Sequence, residues 1–286
     1  MPDLLQPCLI ETAHARLLII QMEQSWANVL SRHVYPAPVA GQLGQLLASS
    51  VLLRSRLKKG SSIILQVQGD GALKTLVAQS NPGNTLRGLA TWQKSFDSAA
   101  SMQEIYGTAK LVMTLTNEQE RYQGIVELCG QTLSDSIEVY LSQSEQLPSC
   151  LRLFANQDRV AGVLIQKLPT EFDDNEDWQR IKLLTQTITA QEMLNLSVTD
   201  ILSRLYHQED VRVYDQQTVA FKCSCSRDRI DSVLETMGRD SMIELLEEKG
   251  VVNVDCEFCN LSYQYKQAEI DRLFVKHIAD EPESIN

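Results

Sequence analysis

An α+β fold is predicted by three features of the sequence. Hairpin signals recur between residues 62 and 166, amphipathic helical segments are interspersed with them, and two tight cysteine pairs mark a small separate module near the C-terminus. The expected organisation is a mixed core of β-hairpins and helices over residues 1–170, a partly helical linker over 171–221, and a four-cysteine domain over 222–286.

The first element read is a helix over residues 39–57. Leu43, Leu46, Leu47 and Val51 share one face at helical spacing, and Gly60 is a candidate stop. Two strand-like runs, Ser62–Gln68 and Leu73–Ala78, flank Gly69-Asp70-Gly71, a hairpin signal. A second hairpin is expected from Leu111–Leu115 through 117–121 to Tyr122–Leu128. Residues 133–146 read as an amphipathic helix that Pro148 stops, and Leu151–Phe154 with Val160–Gln166 as a third strand pair.

Five carboxylates crowd residues 171–177, a run that repels itself and reads as a solvated loop ending the core. Residues 178–207 then read as helical with an apolar face, Ser197 being a candidate N-cap. Trp26, Trp92 and Trp178 read as packing residues, with docking of this segment on the core the alternative for Trp178. In the last module, Ser226–Met237 and Asp240–Lys249 read as helices ended by Gly238 and Gly250. Short strands at Val251–Val254 and Leu261–Tyr265 flank the second cysteine pair, and Gln267–Ile278 closes the module as a helix.

Hydrophobic residues make up 43% of the 286, too many for wholesale disorder. No apolar run approaches the roughly 20 residues of a membrane span, and no basic-then-apolar leader opens the chain. A cytosolic protein without membrane contact is therefore expected. The net charge of −11 is lopsided: residues 1–170 carry 14 basic and 13 acidic side chains, residues 171–286 carry 12 and 24. An acidic module opposes binding to nucleic acid.

Of seven cysteines, four form two pairs: Cys223-Ser224-Cys225, thirty residues, then Cys256-Glu257-Phe258-Cys259. Four thiolates complete a tetrahedral zinc shell, and their softness selects zinc over magnesium or calcium. Each pair chelates from one turn, and the insert with its two helices brings the pairs together. A purely structural zinc site is the plain reading. Two features point further, to a redox switch: the C-x-C chelate is unusually tight, and each pair is close enough for a local disulfide. Thiolates on a metal are the form that peroxide attacks. A redox-enzyme role for Cys256 and Cys259 is disfavoured, because Asp255 and Glu257 raise thiol pKa where a catalytic thiol needs it lowered. Cys8, Cys129 and Cys150 read as buried small hydrophobes, and the four scattered histidines as surface or core residues.

The cysteine pairs in this order and spacing resemble those of the redox-regulated 33 kDa heat-shock chaperone family. So do the stretches GQLLASSVLLRSRLK (44–58), ILQVQGDGALKTLV (64–77) and YLSQSEQLPSCLRL (140–153), and the likeness extends over essentially the whole chain. The resemblance implies an ATP-independent holdase, not an enzyme, that binds unfolding or oxidised client proteins. It implies one zinc per reduced chain on Cys223, Cys225, Cys256 and Cys259. It implies oxidation to Cys223–Cys225 and Cys256–Cys259 disulfides, release of zinc, unfolding of the small domain and a metastable linker, and a monomer that becomes a homodimer. Two other functions compete from the residues alone. A zinc-ribbon adaptor or nucleic-acid binder conflicts with the 14 acidic and 8 basic side chains of residues 222–286. A zinc hydrolase needs an open coordination position that a four-sulfur shell does not offer.

Overall fold

The computed structural model describes residues 3–94, 96–97, 99–169 and 175–278, with side chains described as far as residue 274. It divides into two compact units, residues 1–222 and 223–286.

The first unit is built on one long helix between two sheets. Strands β1 (Leu4–Ile10), β2 (Ala15–Met22), β8 (Ser149–Ala155) and β9 (Val160–Lys167) lie in one sheet in the order β1-β2-β9-β8. Strands β3 (Ser62–Gly69), β4 (Leu73–Asn81), β5 (Thr85–Trp92), β6 (Ala109–Thr116) and β7 (Arg121–Glu127) form the other, ordered β5-β4-β3-β6-β7. All neighbours within these two sets are antiparallel. The chain has both strands and helices in the α+β arrangement expected, and the three anticipated hairpins all form.

Helix α2 (Ala37–Arg54) contacts β4 and β5 on one side and β8 and β9 on the other. The sequence suggested one apolar face, but Val39, Leu43, Leu46, Leu47, Val51, Leu52 and Leu53 are all buried, because both sides of the helix meet a sheet. Close approach requires small residues. A Cβ at Gly44 would lie 2.7 Å from Val160 Cγ2, and one at Gly88 of β5 would lie 2.8 Å from the Val77 carbonyl oxygen. The helix stops at Arg54, earlier than residue 57. Gly60 sits beyond it with φ 87°, in the turn that leads into β3.

Smaller helices complete this unit: α1 (Gln24–Leu30), α3 (Met102–Tyr106) and α4 (Leu133–Glu145). The acidic run's first four residues, 171–174, lie outside the described residues, and its remainder opens α5 (Asn175–Gln186). With α6 (Ala190–Asn195) and α7 (Val198–Tyr206), α5 covers the outer face of the first sheet. Thr189 and Ser197 cap the two later helices, accepting from the N–H of Glu192 and Asp200. Trp178, Ile181, Met193, Ile201 and Tyr206 pack on Cys8, Leu17, Ile19, Cys150, Val163 and Ile165. Gln21 Nε2 donates to the Met193 and Leu196 carbonyls at 2.9 Å each, which ties α6 to β2.

The chain then runs through three short strands. β10 (Val211–Val213) and β11 (Gln217–Thr218) pair with β1, and β12 (Ala220–Phe221) pairs in parallel with β5. Residues 211–221 are thus stitched first to one sheet and then to the other.

The second unit has α8 (Arg227–Met237), α9 (Arg239–Lys249), the hairpin β13 (Val252–Asp255) and β14 (Ser262–Tyr265), and α10 (Gln267–Ile278). Among the described residues its buried core is Leu234, Met242, Leu246, Val252, Tyr265, Ile270 and Leu273. So few apolar side chains rarely hold a unit of this size without a further tie.

Candidate metal centre

Two loops carry the four cysteines of interest. Cys223 and Cys225 lie just ahead of α8, whose N-cap is Ser226. Arg229 Nη1 donates to the Ser224 carbonyl at 3.0 Å and to its hydroxyl at 2.8 Å, which sets the short loop between the two sulfurs. Cys256 and Cys259 occupy the turn between β13 and β14. The N–H groups of Cys259 and Asn260 both donate to the Cys256 carbonyl, at 3.2 and 2.7 Å, and Asn260 adopts φ 54° to close the turn.

The fold brings all four together: their Sγ atoms lie within 4.8 Å of one another. The short separations run across the pairs, 3.7 Å for Cys223–Cys256 and 3.4 Å for Cys225–Cys259. A tetrahedral shell with metal–sulfur bonds of about 2.3 Å has sulfur–sulfur edges of about 3.8 Å, so the separations suit one ion enclosed by four sulfurs. Among the described residues this is the one group of three or more His, Cys, Asp or Glu side chains placed to hold a metal.

The electrostatics favour a cation at the centre. Burial, with the neighbouring Cys225, Cys223 and Cys256 sulfurs, pushes the Cys259 thiol up to about 12, and burial raises Cys256 as well. Bare, these two thiols hold their protons at neutral pH; a dication reverses that preference. The loop also presents N–H groups to the sulfurs. Those of Phe258 and Cys259 reach Cys256, and that of Leu261 reaches Cys259. Such bonds disperse thiolate charge and orient ligands around a metal. The donor set, spacing and outer hydrogen bonds therefore fit a four-thiolate zinc site.

Two contributors escaped the sequence reading. The backbone N–H groups serve the second loop, and Tyr263 shares a hydrogen bond with Cys225. A tyrosine four residues past the last cysteine obeys no spacing rule, and backbone donors depend only on the turn. Arg227 is engaged with Glu269 at 2.5 Å and stacks 4.5 Å over the Tyr265 ring.

The remaining cysteines separate. Cys8 and Cys150 are buried on the sheet face under α5–α7, as a small hydrophobe would be. Cys129 is exposed, contrary to expectation, because it lies in the loop that leads from β7 to α4. The histidine side chain at 277 lies outside the described residues.

Comparison with known proteins gives a consistent result. The family model described as Hsp33 protein matches residues 3–266. A 33 kDa chaperonin of Nitrosococcus oceani is 42% identical over 277 residues, covering 96% of each chain. One of Shewanella loihica is 42% identical over 273 residues, covering 95% of this chain and 96% of its own. A crystal structure of a 33 kDa chaperonin (heat shock protein 33 homologue) from Thermotoga maritima matches the fold with a TM-score of 0.86. That match covers 98% of this chain and 100% of the other at 19% identity.

Proposed function

The chain belongs to the Hsp33 protein family, and from that premise we propose that it is an ATP-independent holdase switched on by oxidation of Cys223, Cys225, Cys256 and Cys259. The observation that carries this reading is the convergence of four sulfurs within 4.8 Å in a unit whose apolar core, among the described residues, is small.

In the reduced chain the four cysteines hold one zinc ion. Bound zinc supplies the charge that keeps them as thiolates and links the loop ahead of α8 to the β13–β14 turn. Oxidation joins Cys223 to Cys225 and Cys256 to Cys259. Each pair gives up two electrons as its S–S bond forms, and one hydrogen peroxide per pair takes them up with two protons to become two waters. Pairing within each loop follows from chain entropy. Once the unit loosens, sulfurs two or three residues apart stay close, whereas those more than thirty apart do not. Bridged sulfurs no longer serve as thiolate ligands, and the unit loses its main tie.

The segment that leads into Cys223 is the one stitched to both sheets. We assign it the role of a metastable linker over 171–221. When it detaches, α5–α7 leave the outer face of the first sheet and uncover Leu17, Ile19, Val163 and Ile165. That apolar surface is offered to unfolding or oxidatively damaged clients, in keeping with the rarity of large exposed apolar patches on a resting protein. The resting form is a monomer, the oxidised form a homodimer, and the setting the cytoplasm. No nucleic acid, membrane or enzymatic turnover enters this scheme; among the described residues no helix is long and apolar enough to cross a membrane.

The test measures zinc, free thiols and suppression of client aggregation before and after peroxide with mild heat. Release of about one zinc per chain, loss of four thiols and onset of suppression are expected. An oxidised, metal-free protein that leaves aggregation unchanged overturns the proposal.

A further inference from the structure

We propose that the cavity beside the C-terminal end of α2 binds a small organic carboxylate with an apolar body, and that its occupant pins the segment between β10 and β11 to β1. The cavity measures about 360 Å³, within the usual range of small-molecule sites. Its apolar walls are Leu9 of β1, Leu18 of β2 and Leu168 just past β9. Arg16 of β2 supplies a guanidinium, and Tyr214 and Gln217 supply the remaining side.

The charge balance points to an anion. The Arg16 side chain makes no hydrogen bond or ion pair among the described residues, and the charges acting on it are Arg56 and Glu145. Glu145 is already committed: Arg56 Nη2 meets its two oxygens at 2.8 and 2.7 Å. The Arg56 side chain is only 6% exposed, and its Nε and Nη1 are buried without an acceptor. One carboxylate thus faces two guanidiniums. The last carbonyls of α2 contribute about half a negative charge, and Arg54 already bonds the Ser61 carbonyl and Asn84. A positive charge left half-buried and unmatched is costly, and a planar carboxylate suits the guanidinium fork. Leucine walls favour an apolar body behind that head group and disfavour a hydrated dianion.

The bridging role follows from where Tyr214 and Gln217 sit. The Tyr214 N–H donates to the Pro7 carbonyl at 3.1 Å, and Gln6 Nε2 donates to the Tyr214 carbonyl at 2.6 Å. Gln217 pairs with Leu5, and its Oε1 accepts from Asn84 Nδ2 at 2.9 Å, which leaves its amide hydrogens to donate. An occupant therefore touches β1, β2 and the stitched segment at once, and holds that segment down. A raised oxidative threshold for activation is the consequence, and that consequence alone rests on the holdase reading.

The test titrates the reduced, zinc-loaded full chain with benzoate, with benzyl alcohol as the neutral isostere and inorganic phosphate as an anion without the apolar body. Hydrogen exchange is followed over residues 211–218. Benzoate is expected to bind once per chain and slow that exchange, with both controls weaker by about tenfold or more. Arg16→Gln should weaken benzoate by a similar factor, and Arg16→Lys, which keeps the charge but not the fork, by less. Absence of benzoate binding in the millimolar range overturns the proposal. So does equal binding of benzyl alcohol or phosphate, full affinity in a folded Arg16→Gln, or binding without slowed exchange. No client or oxidant is present, so failure here is distinct from failure of the holdase reading.

Discussion

Arg180 grips Glu209 at two points, Nε to Oε1 at 2.8 Å and Nη2 to Oε2 at 3.1 Å, and so joins α5 to the residues just past α7. Thr12 Oγ1, from the β1–β2 turn, donates to the same carboxylate at 2.8 Å, and Asp177 also pairs with Arg180. The Glu209 side chain is 3% exposed. The clamp fastens the helical layer to itself and to the sheet beneath.

Acid should release this clamp. The Arg180 hydrogen bonds hold the Glu209 carboxyl below its ordinary value of 4.5. A depressed folded pKa contributes stability that is fully present above the unfolded value and is lost as pH falls through the folded one. At pH 7, Glu209→Gln should therefore speed hydrogen exchange over 175–209, by up to about fivefold for a partly solvated pair. Between pH 4.5 and the lowered value the difference from the parent should shrink to nothing. Identical exchange of the two proteins at pH 7 would remove Glu209 from this role.

Trp178 is the largest apolar group that α5 buries, at 4% exposure. Truncating such a side chain costs about 3–5 kcal/mol where the surroundings cannot collapse. Trp178→Ala should loosen α5–α7 without touching the cysteine loops. The expected result is fast exchange over 175–206 and aggregation suppression by the reduced protein, with its zinc content unchanged. Strong protection of that segment in the variant would show that the neighbouring Ile181 and Met193 suffice.

Legibility from sequence divides along physical lines. The β3–β4, β6–β7 and β8–β9 hairpins could be read because turn chemistry and local pairing specify them together, as at Gly69-Asp70-Gly71. The β1–β2 hairpin could not. Leu17 and Ile19 face the helical layer while Leu18 and Ile20 face α2, so burial on both faces erases the period-two pattern. β10, β11 and β12 have two or three residues each and owe their existence to β1 and β5, a tertiary effect without local signature. At the metal centre, the cysteine spacing announced the donor set. Which sulfurs come nearest, Cys223 to Cys256 and Cys225 to Cys259, depends on how two loops meet, and no spacing encodes that.

Cys256 has two backbone N–H donors and the Cys223 sulfur beside it. Cys256→Ser replaces a thiolate by a hydroxyl that stays protonated and binds zinc poorly. Stoichiometric zinc should be lost, and amide protection over 223–274 with it, while β1–β9 stay protected. Disulfide mapping of the oxidised parent adds a second check. Bridges within each loop are expected, and a dominant Cys223–Cys256 bridge would mean that oxidation traps the closed arrangement.

The three other cysteines offer an internal gauge of the helical layer. Burial alone pushes the Cys8 thiol up to about 11, and burial with Glu138 nearby pushes Cys150 up to about 12. At neutral pH both are protonated, and α5–α7 lie over them, so each lacks the thiolate and the access that alkylation needs. Cys129 is exposed and lacks that cover. In the reduced, zinc-loaded protein, iodoacetamide should therefore label Cys129 while Cys8 and Cys150 stay unmodified. Peroxide with mild heat, or Trp178→Ala, should bring Cys8 and Cys150 to label together, since one layer covers both. Mass spectrometry of the labelled peptides reads this directly. Separate labelling of the two would mean that α5–α7 open piecemeal, and labelling of neither in the active state would mean that clients bind elsewhere than on the face they occupy.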